Sequence, residues 1–260
     1  LLGVLGAQQG VGTVERGGGA AGDDASLRPT EAETEAVAAL VEFMQEAPHD
    51  VHLCGITTAG ALNALDPHRG DIPVSISVSP QHLFLSIETH KLGEAIKNDP
   101  PVRHELDRRA LWSAVKRGRI DAFHSGHVPL ARALKSGPYD AMPSGLPGVD
   151  TLLALLIGAV KNGRLGLEQV VQMCSEAPAR LFGLSSKGRI EVGADADLLL
   201  VREGHTRRLK PAPTASGVEW SPFLGREVGL LPEVVVARGQ VVAREGVLVG
   251  EVPSGRPVRG

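Results

Sequence analysis

Arg119-Ile120-Asp121-Ala122-Phe123-His124-Ser125-Gly126-His127-Val128-Pro129 is the stretch that decides how the chain is read. Ile120 to Phe123 form a short strand, and the polar run His124 to His127 sits at its end. Upstream, Leu106, Ala110, Leu111 and Val115 recur at helical spacing between Arg103 and Lys116, and Gly118 supplies a C-terminal stop. Further back, Val74, Ile76 and Val78 mark a β-branched strand over Pro73 to Val78. Val51 to Cys54 is another short strand, followed by a helix over Thr58 to Leu65. Thr30-Glu31-Ala32-Glu33 has the form of a capping start and opens a helix to about Glu46. Downstream, Val149 to Val160 and Leu167 to Met173 are predicted helices. This strand–helix alternation predicts parallel βαβ units.

After residue 190 helical periodicity stops. Ala196 to Val201, Glu233 to Ala237 and Val241 to Val249 read as strands, with a turn at Gly239. The expected division is therefore residues 1–190 as an α/β unit and 191–260 as a small β segment with a tail. Gly10 to Arg28 is rich in glycine and charge, reads as a loop, and carries no phosphate-binding pattern.

The chain's 260 residues suffice for a large core, and its aromatic content of 3% means aliphatic side chains must build it. A net charge of −3 gives no sign of a nucleic-acid partner. Cys54 and Cys174 are too few for a disulfide framework, so a cytoplasmic setting is expected. No apolar run reaches the roughly 20 residues that span a bilayer, so no membrane partner is expected.

Several segments resemble, in order, the motifs of the dihydroorotase branch of the amidohydrolases. Ile120 to Pro129 is similar to that branch's I-D-x-x-x-S-D-H-A-P, and His52-Leu53-Cys54-Gly55-Ile56-Thr57-Thr58-Ala59 to its H-V-C-H-V-S-T-A. Ser79 to Ser86, Lys97 to Arg103, Gly145 to Thr151, Ala177 to Leu184 and Lys187 to Leu198 resemble further motifs. Gln81 to Ser86 and the run from Ala110 to Phe123 favour dihydroorotase over hydantoinase or allantoinase. The resemblance implies a partial TIM-type (β/α) barrel corresponding to the C-terminal half, followed by part of a β-sandwich. The N-terminal strands, including an H-x-H ligand pair, have no counterpart.

The resemblance also implies what has changed. The family's Asp, a metal-side ligand and proton shuttle, is Gly126 here, and a zinc-ligating His is Gly55. Gly6 aligns with a third ligand position. Glycine can neither bind a cation nor carry a proton. His124 and His127 are the fallback metal candidates, although His127 is expected to orient backbone and His52 to be structural. Substrate positions map to Asp99, where the family has Asn, and to Ser144 and Gly145. Leu130 replaces a His that holds the substrate carboxylate. Asp195 and Asp197, predicted on one strand face, are expected to be structural. The expectation is a catalytically impaired homologue without a cofactor, serving as scaffold or regulatory subunit. Its partner would be aspartate transcarbamoylase or a second copy. The alternatives are an active zinc-dependent dihydroorotase or related amidohydrolase, and a non-functional remnant.

Overall fold

The computed structural model describes residues 28–88, 93–202, 205–210, 216–229 and 232–249. Gly6 and all but the last residue of the predicted Gly10 to Arg28 loop lie outside the described residues. Helix α1 runs Thr30–Glu46 and buries Val37, Val41 and Met44, a spacing of four and three that keeps one face on the core. Burying each of these side chains contributes about 1.5–3 kcal/mol. The expected capping box does not form: Pro29 is the N-cap, with no side-chain bond. Glu33 instead turns to the loop after the first strand, where it meets more donors than one helix end offers.

Strand β1 (Val51–Cys54) leads to α2 (Ala59–Leu65), capped by the Thr58 side chain on Ala61 N–H. Strand β2 (Val74–Val78) leads to the short α3 (Pro80–Phe84), and α4 (Glu105–Lys116) leads to β3 (Ala122–Phe123). The three strands form a parallel sheet in the order β1-β2-β3, in register Val51↔Val74 and Ser77↔Ala122. A single parallel bridge, His127↔Leu146, extends the arrangement by one more position. In α4 the core face is Asp107, Leu111, Trp112, Ala114 and Val115. Leu106, expected inward, is 78% exposed. Asp107 takes the inward place because its carboxylate accepts the Ala59 N–H at 2.9 Å, tying α4 to the start of α2. The helix closes at Gly118, with Arg119 N–H reaching Ala114 O at 2.9 Å.

Helix α5 covers Leu152–Lys161, three residues later than its predicted start at Val149. The Gly148 and Val149 N–H groups are taken by His127 Nδ1, which holds that stretch as a turn. Residues 167–181 form α6 (Leu167–Val171), a π-helical turn (Gln172–Glu176) and α7 (Ala177–Leu181). The core joins α1 through α6 with Val218, Trp220, Phe223 and Val228 from the C-terminal stretch. No helix of the described residues is long and apolar enough to cross a membrane.

The C-terminal strands are β4 (Leu198–Leu200), β5 (Thr206–Arg208), β6 (Glu227–Gly229), β7 (Val234–Ala237), β8 (Gln240–Arg244) and β9 (Val247–Leu248). β5 and β6 were not foreseen; they make a separate two-stranded sheet. The other four pair antiparallel in the order β4-β7-β8-β9. None of their described residues enters the buried core. Asp195 and Asp197 precede β4 rather than sharing its face. Both pair with Lys187, and Asp197 accepts the Arg238 N–H at 2.7 Å, so their role is to tie a turn to the sheet.

Candidate functional site

The C-terminal ends of β1, β2 and β3 meet at one edge of the parallel sheet, and the two glycines read as lost ligands lie there. Gly55 follows β1 with φ +90°, and its N–H donates to Ser77 O at 3.1 Å. Gly126 follows β3 with φ +54°. Both conformations disfavour an L side chain. A Cβ built on Gly126 would fall 2.8 Å from Gln81 Oε1 and 3.1 Å from Ser79 Cβ. On Gly55 it would lie 3.6 Å from His124 Nε2, an ordinary contact.

Gln81 fills the ground beside Gly126. It is fully buried at the start of α3, and its Nε2 donates to Ser125 O at 3.1 Å and Gly126 O at 3.0 Å. Sequence reading passed over Gln81 except as part of a motif; a buried carboxamide opening a helix directly after a strand was the available signal.

Each histidine is held differently. His52 meets Ser75 Oγ at 2.8 Å and Ser77 Oγ at 3.0 Å, which engages both ring nitrogens, as expected for a structural role. His82 accepts from Ser79 Oγ at Nδ1 (2.8 Å) and donates from Nε2 to Pro100 O and Pro101 O (3.2 and 3.1 Å). Burial lowers its pKa to about 4, and the nearby Arg103 guanidinium adds to the shift. His124 accepts the Gly126 N–H at Nδ1 (3.2 Å). Burial, followed by His82 and His52 nearby, lowers its pKa to about 4. His127 Nδ1 accepts from Gly148 N–H and Val149 N–H at 3.1 and 3.2 Å, so it orients backbone as expected.

The surrounding loops are pinned by charges that sequence reading assigned to other roles or left unread. Glu33 accepts from Thr57 N–H (2.8 Å), Thr58 N–H (3.1 Å), the Thr57 hydroxyl and Arg103 Nη2 (3.4 Å). Arg103 Nε also donates to Thr57 Oγ1 at 3.0 Å. These bonds fix the segment directly after Gly55. Lys135 is 1% exposed, and its Nζ donates to Lys97 O (2.7 Å) and Pro143 O (2.9 Å). Asp99, the expected substrate contact, faces Arg28 in an exposed ion pair. Gly145 N–H is spent on Lys97 O at 3.1 Å, while Ser144 is half-buried beside it. The backbone donor that the resemblance placed at Gly145 is therefore committed to the protein itself.

A zinc centre of the kind the resemblance implies does not fit these residues. Gly55 and Gly126 bring no donor atom. His52 and His82 have both nitrogens engaged, and His124 and His127 each have Nδ1 engaged. No group of three His, Cys, Asp or Glu side chains among the described residues is placed to hold a metal ion. Catalytic zinc usually takes three protein ligands.

A sequence model of the Amidohydrolase family matches residues 30–242. A dihydroorotase of Halobacterium salinarum is 37% identical over 218 residues, which cover 84% of this chain and 50% of that protein. A dihydroorotase of Methanothermobacter thermautotrophicus is 34% identical over 224 residues, covering 85% and 51%. Among solved structures, a D-hydantoinase from Bacillus sp. AR9 superposes with a TM-score of 0.81 at 30% identity, covering 92% of this chain and 56% of the other. A D-hydantoinase from Thermus sp. gives a TM-score of 0.81 at 28% identity, covering 87% and 52%. The chain thus spans about half the length of the curated relatives it matches.

Proposed function

The chain belongs to the amidohydrolase family, and on that premise we propose that it is a dihydroorotase-like homologue, impaired in zinc-assisted hydrolysis, acting as a scaffold or regulatory subunit. One observation carries the reading. The two strand-end positions where the resemblance places ligands are glycines with positive φ, and Gln81 stands where a side chain at 126 would go. Loss of a ligand alone would leave an ordinary backbone and an empty place; here both backbones disfavour a side chain, and at 126 the packing has closed around glycine as well.

In this reading β1, β2, β3 and the His127–Leu146 position are the C-terminal half of a TIM-type barrel, and β4, β7, β8 and β9 are part of its flanking sandwich. The intact core and the pinned loops support retention of a folded surface after loss of the reaction. Its partner is aspartate transcarbamoylase or a second copy of the chain. No hydrolytic step is assigned to its own residues.

The test is dihydroorotate turnover by the purified chain, alone and co-expressed with aspartate transcarbamoylase. The reading predicts no turnover above buffer for the chain alone and co-purification with the partner or with a second copy. Zinc-dependent turnover by the chain alone would refute it.

A further inference from the structure

An aromatic pair apart from the strand-end glycines is ringed by arginines. Phe84, the last residue of α3, and Trp112 in α4 meet edge to face with ring centroids 5.2 Å apart. Arg226, directly before β6, lies over the Phe84 ring at 5.9 Å. Arg164, just after α5, lies over the Trp112 ring at 5.5 Å. Both distances are within the range of a cation–π attraction. Arg108 joins the group from α4: its Nη1 and the Trp112 indole N–H both donate to Leu83 O.

The charges around this pair do not balance. Glu105 is the carboxylate bound to the group, and Arg108 (2.6 Å) and Arg109 (2.9 Å) share it. Arg226 donates to Phe84 O, and neither it nor Arg164 is ion-paired with a carboxylate among the described residues. Burial, and then the charges of Arg108 and Arg164, hold Arg226 below the ordinary arginine range. Arg226 is half-buried and Arg164 exposed, so the excess positive charge lies at an accessible edge of a partly desolvated patch. Like charges gathered there repel, and an anion relieves that repulsion. Each guanidinium carries its donors in a planar fork that suits the oxygens of a phosphate.

We propose that Arg164 and Arg226, backed by Arg108, form a binding site for the dianionic phosphate group of a small molecule. The aromatic pair anchors the two guanidiniums, and their remaining N–H groups donate to the phosphate oxygens. Arg108, already neutralised by Glu105, fixes the position of the Trp112 side of the site through Leu83 O. A dianion matches two uncompensated arginines, whereas a monoanion leaves one of them unbalanced. The site uses neither glycine nor histidine of the strand ends, so it stands whether or not the chain hydrolyses a ring.

The test follows the indole N–H resonances of tryptophan-15N-labelled full-length protein. The chain has two tryptophans, Trp112 and Trp220, and Trp220→Phe assigns them. Trp220 has Arg132 over its ring and serves as the internal reference. The titrants are inorganic phosphate, glycerol 3-phosphate and acetate at constant ionic strength and about pH 8, above the second phosphate pKa of about 6. Both phosphates are expected to shift Trp112 saturably and leave Trp220 unmoved, with acetate roughly tenfold weaker or more. The tighter of the two phosphates shows whether an ester or the free ion is the better occupant. Arg164→Gln is expected to weaken phosphate roughly tenfold at an unchanged melting temperature. Arg117→Gln, at the exposed end of α4, is expected to bind as the parent does. If Arg164→Gln unfolds, the comparison of phosphate with acetate on the parent decides. No saturable shift of Trp112, acetate as potent as phosphate, equal movement of Trp220, or full binding by folded Arg164→Gln would overturn the proposal.

Discussion

Gly126→Asp restores the side chain that the resemblance assigns to this position, and the structure predicts that it destabilises the protein. The backbone sits at φ +54°, a region that Asp tolerates better than most residues but at a cost on the order of 1 kcal/mol. The new Cβ would fall 2.8 Å from Gln81 Oε1, so Gln81 must move. Moving it breaks its bonds to Ser125 O and Gly126 O in a buried setting, which costs about 1–3 kcal/mol. The carboxylate would also face the Gln81 carbonyl oxygen, which cannot donate a hydrogen bond to it. The net expectation is roughly 3–5 kcal/mol, a large part of a typical stability. The assay is urea unfolding of the parent, Gly126→Asp, Gln81→Ala and the double variant. Because the loss passes through Gln81, the double variant should be less destabilised than the singles summed, by about 1 kcal/mol or more. A Gly126→Asp protein as stable as its parent, or strict additivity, would refute the steric argument.

Protonation gives a second test. The folded-state pKa values of His82 and His124 are about 4, below the ordinary 6.5, so the native state binds fewer protons than the unfolded chain between those values. Their stabilisation is complete above pH 6.5 and is lost as pH falls toward 4, on the order of 2–3 kcal/mol per ring; urea midpoints that stay level from pH 7 to 4.5 would contradict this. Glu33→Ala removes the acceptor for Thr57, Thr58 and Arg103, and should cost roughly 2–4 kcal/mol in the same assay. Self-association is expected as well, because the β4-β7-β8-β9 sheet buries none of its described residues and Leu199, Val247 and Leu248 are exposed. Light scattering should give more than a monomer mass, reduced by Leu248→Lys; a clean monomer with a sharp melting transition would count against the open-surface reading. Gly126→Asp combined with Gly55→His should leave dihydroorotate turnover at the buffer level, since two ligands fall short of three.

Much of this was legible in the sequence because the signals were local. Hydrophobic spacing located α1, α2 and α4, β-branched residues located β2, and motif order pointed to the strand ends. What was not legible depended on long-range pairing. Glu33 read as a capping residue because its true partners, Thr57, Thr58 and Arg103, lie 24 or more residues away. Leu106 read as core because periodicity cannot know that Asp107 is needed to cap another helix. The delayed start of α5 followed from His127 taking two backbone donors across a loop. That Gln81 fills the place beside Gly126 needed coordinates, because neither residue alone carries that information.

The most direct test of the central claim is the zinc content of the purified full-length chain by elemental analysis after dialysis against a chelator. The account predicts much less than one zinc per chain, because the strand ends carry glycine at 55 and 126 and the nearby histidines are engaged in protein hydrogen bonds. One zinc per chain that survives dialysis would contradict it.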